Sequence, residues 1–430
     1  MRFLFLFIPF FIYAANLEYT LFKKEGEIKG NTLLVIGGIH GNEPGGYFAG
    51  AFLEKYYNIK KGSLWLTPNL NFDSIIMNER GIYGDMNRKF SSIKEHDEDY
   101  EIVTKIKKVI LDEKVDLILN LHDGYGFYRH KYENAIFNPN AWGQATIIDQ
   151  EKIHGLEKFG DLDKIANQVQ NAMNTDELFK EHHLFGVKNT ETKFKDEQQQ
   201  LSLTFFAVTH NKPAFAIETS KNITDLTQKV IYQLKSIEEF MHIMDIEFER
   251  KFDISNYEDV KAKVYDFETV TINDNIKIPL TDISKTLRFV PMKKEGNKIE
   301  FSHVLGAYKI YGGVYRFYIG NKHICSIHPQ YFEIKEATKP IKIEVDGNIQ
   351  DVKLGTILDI KNSFEILKNG YRVNIIGYSK SGIDSEDGIL INKDDILNRY
   401  SIDKENKKYR AEFYKDGKFY GMIVLNFEEK

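Results

Sequence analysis

Only one cysteine, Cys325, occurs among 430 residues. An intrachain disulfide framework is excluded, and folding must rest on hydrophobic cores. Such a cysteine reads as a small buried hydrophobe in a strand. Positive charge is not in surplus: 58 Lys and Arg face 63 Asp and Glu, a formal net charge of -5. That balance argues against a diffuse polyanion-binding surface, so nucleic acid is not an expected partner, while a local basic pocket for an acidic substrate stays compatible with it. Low-complexity tracts and internal repeats are missing too, which removes solenoid and fibrous classes. No apolar run is long enough to cross a bilayer comfortably, and the chain is expected not to be membrane-spanning.

What is present is ordinary globular material, 42% hydrophobic and 28% charged, in a length that suggests two or three domains. The first residues, Met1-Arg-Phe-Leu-Phe-Leu-Phe-Ile-Pro-Phe-Phe-Ile-Tyr-Ala-Ala15, give one positive charge, an apolar run and two small residues. This is the order of a secretory signal peptide, expected over residues 1–15, although Ile12 or Tyr13 at the minus-three position matches a small-x-small site poorly.

Between residues 33 and 243 short apolar runs alternate with amphipathic ones, the pattern of an α/β domain. Leu33-Leu-Val-Ile36, Val115-Asp-Leu-Ile-Leu-Asn-Leu121 and Ala214-Phe-Ala-Ile217 fit central strands covered on both faces. Helices are expected over 46–57, 99–112 and 225–244, the last opened by the cap Asp225-Leu-Thr-Gln228. Beyond Asp245 the texture becomes alternating strands such as Val264-Tyr-Asp-Phe-Glu-Thr-Val-Thr-Ile272, punctuated by Asp346-Gly347, Asn369-Gly370, Asp387-Gly388 and Asp416-Gly417. The expected organisation is an α/β domain over 16–245, a barrel-like β domain over 246–339 and an immunoglobulin-like β-sandwich over 340–430.

Three His-x-x-Glu pairs occur: His40/Glu43, His130/Glu133 and His154/Glu157. The spacing is common, and context separates them. His40 and Glu43 lie in Gly37-Gly-Ile-His-Gly-Asn-Glu-Pro-Gly-Gly46, just past a buried strand, where glycines permit a tight turn and Pro44 suits the first turn of a helix. The other two lack a preceding strand and read as solvated surface. Open α/β sheets collect ligands at the carboxyl ends of their strands. The second apolar run ends in Leu121-His122-Asp123 and the third in Ile217-Glu218-Thr219, so His122 and Glu218 converge on the same rim as His40 and Glu43. Two imidazoles and a carboxylate suit Zn²⁺ with an open fourth position, leaving Glu218 as general base. The loop Asp85-Met-Asn-Arg-Lys-Phe90 adds a guanidinium fork beside an amide, suited to gripping a terminal carboxylate.

In this order, the Gly37–Gly46 segment, Asn87-Arg88, His122 and Glu218 resemble zinc metallocarboxypeptidases of the carboxypeptidase A type. With a signal peptide and two trailing β domains, the chain is similar more narrowly to periplasmic DL-carboxypeptidases that set cell shape in curved and helical Gram-negative bacteria. The resemblance implies a metallocarboxypeptidase-like mixed sheet flanked by helices. It also implies periplasmic trimming of peptidoglycan stem tripeptide (muramyl tripeptide) to dipeptide, releasing meso-diaminopimelate from γ-D-glutamate. Asn87 and Arg88 would hold carboxylates of the terminal residue, Arg80 and Trp142 would line the pocket, and Thr204 would contact the substrate backbone. One branch of that group has glutamine as first metal ligand; here the position is His40. Cell-wall or shape-protein partners are expectations for the β domains. Two other readings stay open. The same turns resemble the succinylglutamate desuccinylase and aspartoacylase group, which deacylates small N-acyl amino acids. A wall-binding protein with a decayed site is the non-catalytic reading, and all four metal and base residues being present argues against it.

Overall fold

The computed structural model describes residues 17–177, 181–337 and 339–428; the segment expected to be a signal peptide lies outside them. Eight strands form the principal sheet: β1 (Phe22–Glu25), β2 (Ile28–Ile36), β3 (Tyr57–Thr67), β4 (Leu117–Gly124), β5 (Ala145–Ile148), β6 (Gly186–Asn189), β7 (Ala214–Ser220) and β8 (Glu247–Arg250). Their order is β1-β3-β2-β4-β7-β5-β6, with β8 also paired to β3. The four central strands, β3, β2, β4 and β7, run parallel, whereas β1, β8 and β5 join antiparallel. This is the mixed α/β sheet expected from the sequence.

The parallel centre follows from composition. Leu33, Leu34, Val35 and Ile36 are buried, as are Leu117, Ile118, Leu119 and Leu121, and Ala214, Phe215 and Ile217. Strands apolar on both faces need helices above and below. Those are supplied chiefly by α1 (Pro44–Tyr56), α2 (Tyr100–Ile110), α3 (Leu162–Thr175) and α4 (Leu226–Ile243). The cap at Asp225 is realised: its Oδ1 accepts the Thr227 amide at 2.9 Å, satisfying one orphan donor of α4.

The C-terminal half is built of β-sheets. Two of them, of three and four strands, lie between Thr269 and Tyr331, and two four-stranded sheets follow. Asp346-Gly347 and Asp416-Gly417 adopt left-handed φ at both positions (52° and 83°, 51° and 72°); each closes a two-residue hairpin of the kind those dipeptides favour. One element differs from expectation. Residues 257–264 form a helix, and the strand begins only at Thr269. Val260 and Val264, four apart, both point into the core, so helical periodicity wins there, and Glu268 at φ 58° breaks the chain before the strand. Cys325 is buried in the strand Lys322–Tyr331, and burial pushes its thiol up to about 12.

The first two β-sheets share one continuous hydrophobic core with the α/β sheet, while Ile341, Ile360, Phe364, Tyr409 and Phe427 belong to a second core. The α/β half is therefore braced by β structure.

The turn after β2 is packed without slack. A methyl group on Gly41 would lie 2.0 Å from the backbone of Ser74, an overlap that only displacement of the turn relieves. Gly41→Ala is therefore expected to destabilise the protein by on the order of 1–3 kcal/mol, read as a lowered Tm; an unchanged Tm would contradict this packing.

Candidate metal centre and active-site cleft

The site begins where β2 stops. The Gly37 amide donates to the Thr67 carbonyl of β3 at 2.8 Å, and the Leu70 and Asn71 amides donate back to the carbonyls of Gly37 and Gly38 at 3.1 and 2.9 Å. Gly38 takes φ 75°, a conformation that disfavours side chains. The chain is thus turned at the carboxyl rim of the sheet, presenting His40, and Glu43 immediately precedes α1. In the neighbouring parallel pair His122 stands opposite Glu218. The rim inferred from three apolar runs is one physical edge.

Asp123, beside His122, fixes the start of α1 to that edge. Its Oδ2 accepts the Gly45 amide at 3.2 Å and the Lys229 Nζ at 2.9 Å, while its Oδ1 accepts the Thr219 hydroxyl. Those carboxylate oxygens sit against Gly45, where a Cβ would lie 2.5 Å from Asp123 Oδ1. Asp123 is accordingly a buried structural clamp between β4, β7, α1 and α4.

Three donor atoms converge. Glu43 Oε2 lies 3.1 Å from His40 Nδ1 and 2.9 Å from His122 Nδ1, and the two Nδ1 atoms are 3.2 Å apart. All three side chains are buried. Tetrahedral ligands about 2.0–2.1 Å from zinc stand roughly 3.3 Å from one another, so this cluster needs to open only slightly to hold such an ion. The donor set argues the same way. His40 Nε2 faces Asp85 Oδ1 at 2.9 Å; with its proton there, a neutral His40 aims its Nδ1 lone pair at an anionic oxygen, an opposition that a cation between them removes. His40, Glu43 and His122 therefore fit a divalent metal.

The electrostatics fit a buried charged cluster. Burial pushes the His40 imidazole down, but the carboxylates of Glu43 and Asp85 outweigh it and the net shift is upward. His122 is lowered by burial despite its bond to Glu43. Glu43, although burial opposes its charge, is held well below the usual carboxylate range by the two imidazoles. Glu218 behaves oppositely. Burial, then the charges of Glu43 and Asp123, raise its carboxyl well above the usual range, with Lys221 and Arg80 opposing. Two carboxylates of one cleft thus have divergent proton affinities, an arrangement in which one can serve as a ligand and the other as a base.

His40, Glu43, His122 and Glu218 line one cleft together with Arg80, Asn87, Arg88 and Trp142. Asn87 is anchored, its Oδ1 accepting the Leu203 amide at 3.0 Å. Trp142 is held under Lys188, whose Nζ lies 4.3 Å from its ring centroid. Arg80 bonds Glu43 Oε1 at 3.3 Å and Asp85 Oδ2 at 2.9 Å. Thr204 is placed differently. It is buried, it bonds the Ser202 hydroxyl at 3.2 Å and the Asp149 carboxylate, and it does not line the cleft. The exposed pairs His130/Glu133 and His154/Glu157 are solvated as expected.

Sequence reasoning did not assign Asp85, Lys221, Tyr125 or Gln199, all at the site. Lys221 Nζ bonds Glu43 Oε1 at 3.1 Å and lies 5.0 Å from the Tyr125 ring centroid; Tyr125 and Gln199 line the cleft. Position three residues past Glu218 at the strand's carboxyl end was the available signal for Lys221; Asp85 had none beyond its loop.

Two outcomes follow from this geometry. Asp85→Asn should weaken metal affinity about 10–100-fold, measured by competition with a chromophoric chelator; unaltered affinity would remove Asp85 from the site. The second concerns protonation. Because Glu218 has a raised pKa in the folded metal-free chain, its ionisation opposes folding as pH climbs from the usual carboxylate range toward that raised value. Metal-free Glu218→Gln should therefore melt higher than the parent at neutral pH, with the gap closing near about pH 4. Parallel Tm curves across that range would refute the assignment.

The described residues contain no helix long and apolar enough to cross a membrane. No curated protein matches the chain. A family model described as carboxypeptidase controlling helical cell shape, catalytic, matches residues 4–264, and one described as the C-terminal domain of metallo-carboxypeptidase matches 334–428. Among solved structures, the apo cell shape determinant protein Csd4 from Helicobacter pylori is 33% identical, with 96% of this chain and 100% of that chain covered at a TM-score of 0.88. The tripeptide-bound form of Csd4 from the same organism is 33% identical over 96% of this chain and 100% of its own, with a TM-score of 0.87. The mDAP-bound form of H. pylori Csd4, a D,L-carboxypeptidase, is 34% identical over 95% of this chain and 100% of its own, also at 0.87. Metal-ligand geometry, fold and likeness agree, and the chain belongs to the family of metallocarboxypeptidases that control helical cell shape.

Proposed function

We propose that this protein is a zinc-dependent DL-carboxypeptidase that trims peptidoglycan stem tripeptide to dipeptide, releasing meso-diaminopimelate from γ-D-glutamate. The observation that carries the reading is the buried His40–Glu43–His122 cluster with a separate, raised-pKa Glu218 in the same cleft. Zinc, when bound by those three residues, supplies Lewis acidity toward the scissile carbonyl and lowers the pKa of water. Glu218 then accepts the proton of the attacking water and returns it to the departing amine; a carboxylate with upward-shifted affinity suits both transfers near neutral pH.

Recognition falls to the cationic side of the cleft. A terminal diaminopimelate carries two carboxylates, and Arg88 beside Asn87 offers a planar fork to one of them. Arg80 and Lys221, both bonded to Glu43 Oε1, supply positive charge next to the metal ligands, where either stabilises an oxyanion or a second carboxylate. Trp142 forms a wall. Thr204, bonded to Ser202 and Asp149, follows Leu203, whose amide donates to Asn87 Oδ1. The same reading includes export to the periplasm by residues 1–15. It also includes division of the remainder into the catalytic domain (16–245), a first β domain (246–339) and an immunoglobulin-like β domain (340–430).

The test is hydrolysis of defined muramyl tripeptide, with succinyl-glutamate and acetyl-aspartate as comparison substrates. The expected result is loss of one C-terminal residue from the tripeptide, abolished by chelator and restored by Zn²⁺. Glu218→Gln should retain metal while lowering kcat by about 10³-fold or more. Preferential cleavage of either N-acyl amino acid, or full activity in Glu218→Gln, would overturn the proposal.

A further inference from the structure

A second cleft lies far along the chain from these residues, where strand Thr286–Met292 meets strands Arg372–Ile375 and Lys408–Lys415 and the turn at 398–402. Its volume is about 590 Å³, within the range of small-ligand sites. Four arginines line it, Arg288, Arg372, Arg399 and Arg410, against a single acid, Glu412.

That acid is already committed. Glu412 is buried, pairs with Arg410 at 3.4 Å and accepts the Tyr414 hydroxyl at 2.6 Å. Arg288, Arg372 and Arg399 are exposed and form no carboxylate ion pair among the described residues. Instead, Arg372 sits 4.6 Å from the Tyr414 ring centroid and Arg399 5.0 Å from that of Tyr400. Arg372 lies within electrostatic reach of the Glu386 and Glu412 carboxylates without pairing to either, and three guanidinium groups outside any ion pair share one concavity in a chain of net charge -5.

The cleft is also built at a cost in backbone strain. The pairing of Thr286–Met292 with its neighbour shifts register between Leu287 and Val290, so Arg288 and Phe289 form a bulge. Phe289 takes φ 56° and is 67% exposed, a left-handed conformation that an aromatic side chain adopts only under constraint. The constraint is visible: buried Arg410 donates to the carbonyls of Arg288 and Phe289 at 3.2 and 3.4 Å. Bulges of this sort re-aim side chains. Here a buried guanidinium crossing from the C-terminal sheet pins one, holding an exposed arginine and an exposed phenylalanine at the cleft.

We infer that this cleft binds a carboxylate-bearing glycopeptide strand, namely uncrosslinked peptidoglycan outside the reacting stem; the identity of the ligand rests on the substrate class proposed above. Arg372 and Arg399 each stand beside an aromatic ring, and Arg288 adjoins the exposed Phe289 in the bulge, a pattern that suits carboxylates alternating with sugar faces. A concavity of about 590 Å³ suits a single strand better than the broad, flatter area of a stable protein interface. The second cleft would retain the enzyme on the polymer while stem peptides are trimmed elsewhere.

The test uses the full chain carrying Glu218→Gln, so that nothing is hydrolysed, and soluble linear glycan strands bearing tripeptide stems. Arg372→Ala/Arg399→Ala, both at exposed positions, should weaken strand binding about tenfold or more. Amidating the stem carboxylates should abolish the difference between the variant and its parent. In the otherwise wild-type chain the same pair should leave kcat/KM on free muramyl tripeptide unchanged. Equal strand affinity of variant and parent overturns the inference. So does arginine-dependent binding of an acidic polyglutamate peptide without binding of strands, which would mark a protein-docking surface. Arginine-dependent strand binding in a protein that cleaves no stem peptide would sink the proposed activity and leave this cleft standing.

Discussion

One carboxylate oxygen, Glu43 Oε2, faces both imidazoles within 3.1 Å and also accepts the Asp123 amide at 3.2 Å. The other, Oε1, faces Arg80 and Lys221. Glu43 thus stands between a metal-ligating side and a cationic side, and its position depends on where α1 begins. That start is set by buried Asp123, which joins the Gly45 amide, Lys229 and Thr219. Breaking a fully buried pair of this kind is far more disruptive than losing a surface ion pair. The clamp therefore transmits the geometry of the central sheet to the His40–Glu43–His122 cluster that fits a metal.

The division of labour between carboxylates is a matter of neighbours. Glu43 and Glu218 are both buried, yet one is held ionised and the other is pushed toward the neutral acid. Glu43 has two imidazoles in contact, while Glu218 feels chiefly desolvation and like charge. A bound divalent cation would draw the second carboxyl back toward ionisation. Glycine contributes as well: a Cβ on Gly124 would lie 2.9 Å from Glu218 Oε2 and 2.6 Å from Trp142 Cβ, so the strand end leaves just enough room for Glu218 and Trp142 together.

The β-rich half is more than an appendage. Its first two sheets share the core of the α/β sheet, and Lys309 reaches across to Asp73 at 2.6 Å, beside the loop region that carries Arg80. The C-terminal sheets contribute the arginine-lined cleft through Arg410, which stabilises a strained bulge in the preceding β structure. Catalytic rim and trailing sheets are thus joined by packing and by single cross-element bonds.

His40, Glu43, His122 and Glu218 were readable from the chain because continuous apolar runs end immediately before His122 and Glu218 and, by way of a glycine-rich turn, shortly before His40 and Glu43. Runs buried on both faces become parallel central strands, and the carboxyl ends of such strands share one rim whatever the details of packing. Turn chemistry likewise declared the hairpins at Asp346-Gly347 and Asp416-Gly417. Asp85, Lys221 and the Asp123–Lys229 clamp could not be read in this way, since each pairs residues 45 to 178 positions apart and such partners are chosen by strand order and register. The helix at 257–264 and the inward placement of Thr204 were decided in the same manner, by which neighbour offered a core or a carboxylate to pack against. Local pattern determined the strands, their ends and the ligand types; long-range packing alone decided which charges meet, because Coulomb and hydrogen-bond partners depend on distances that no local window encodes.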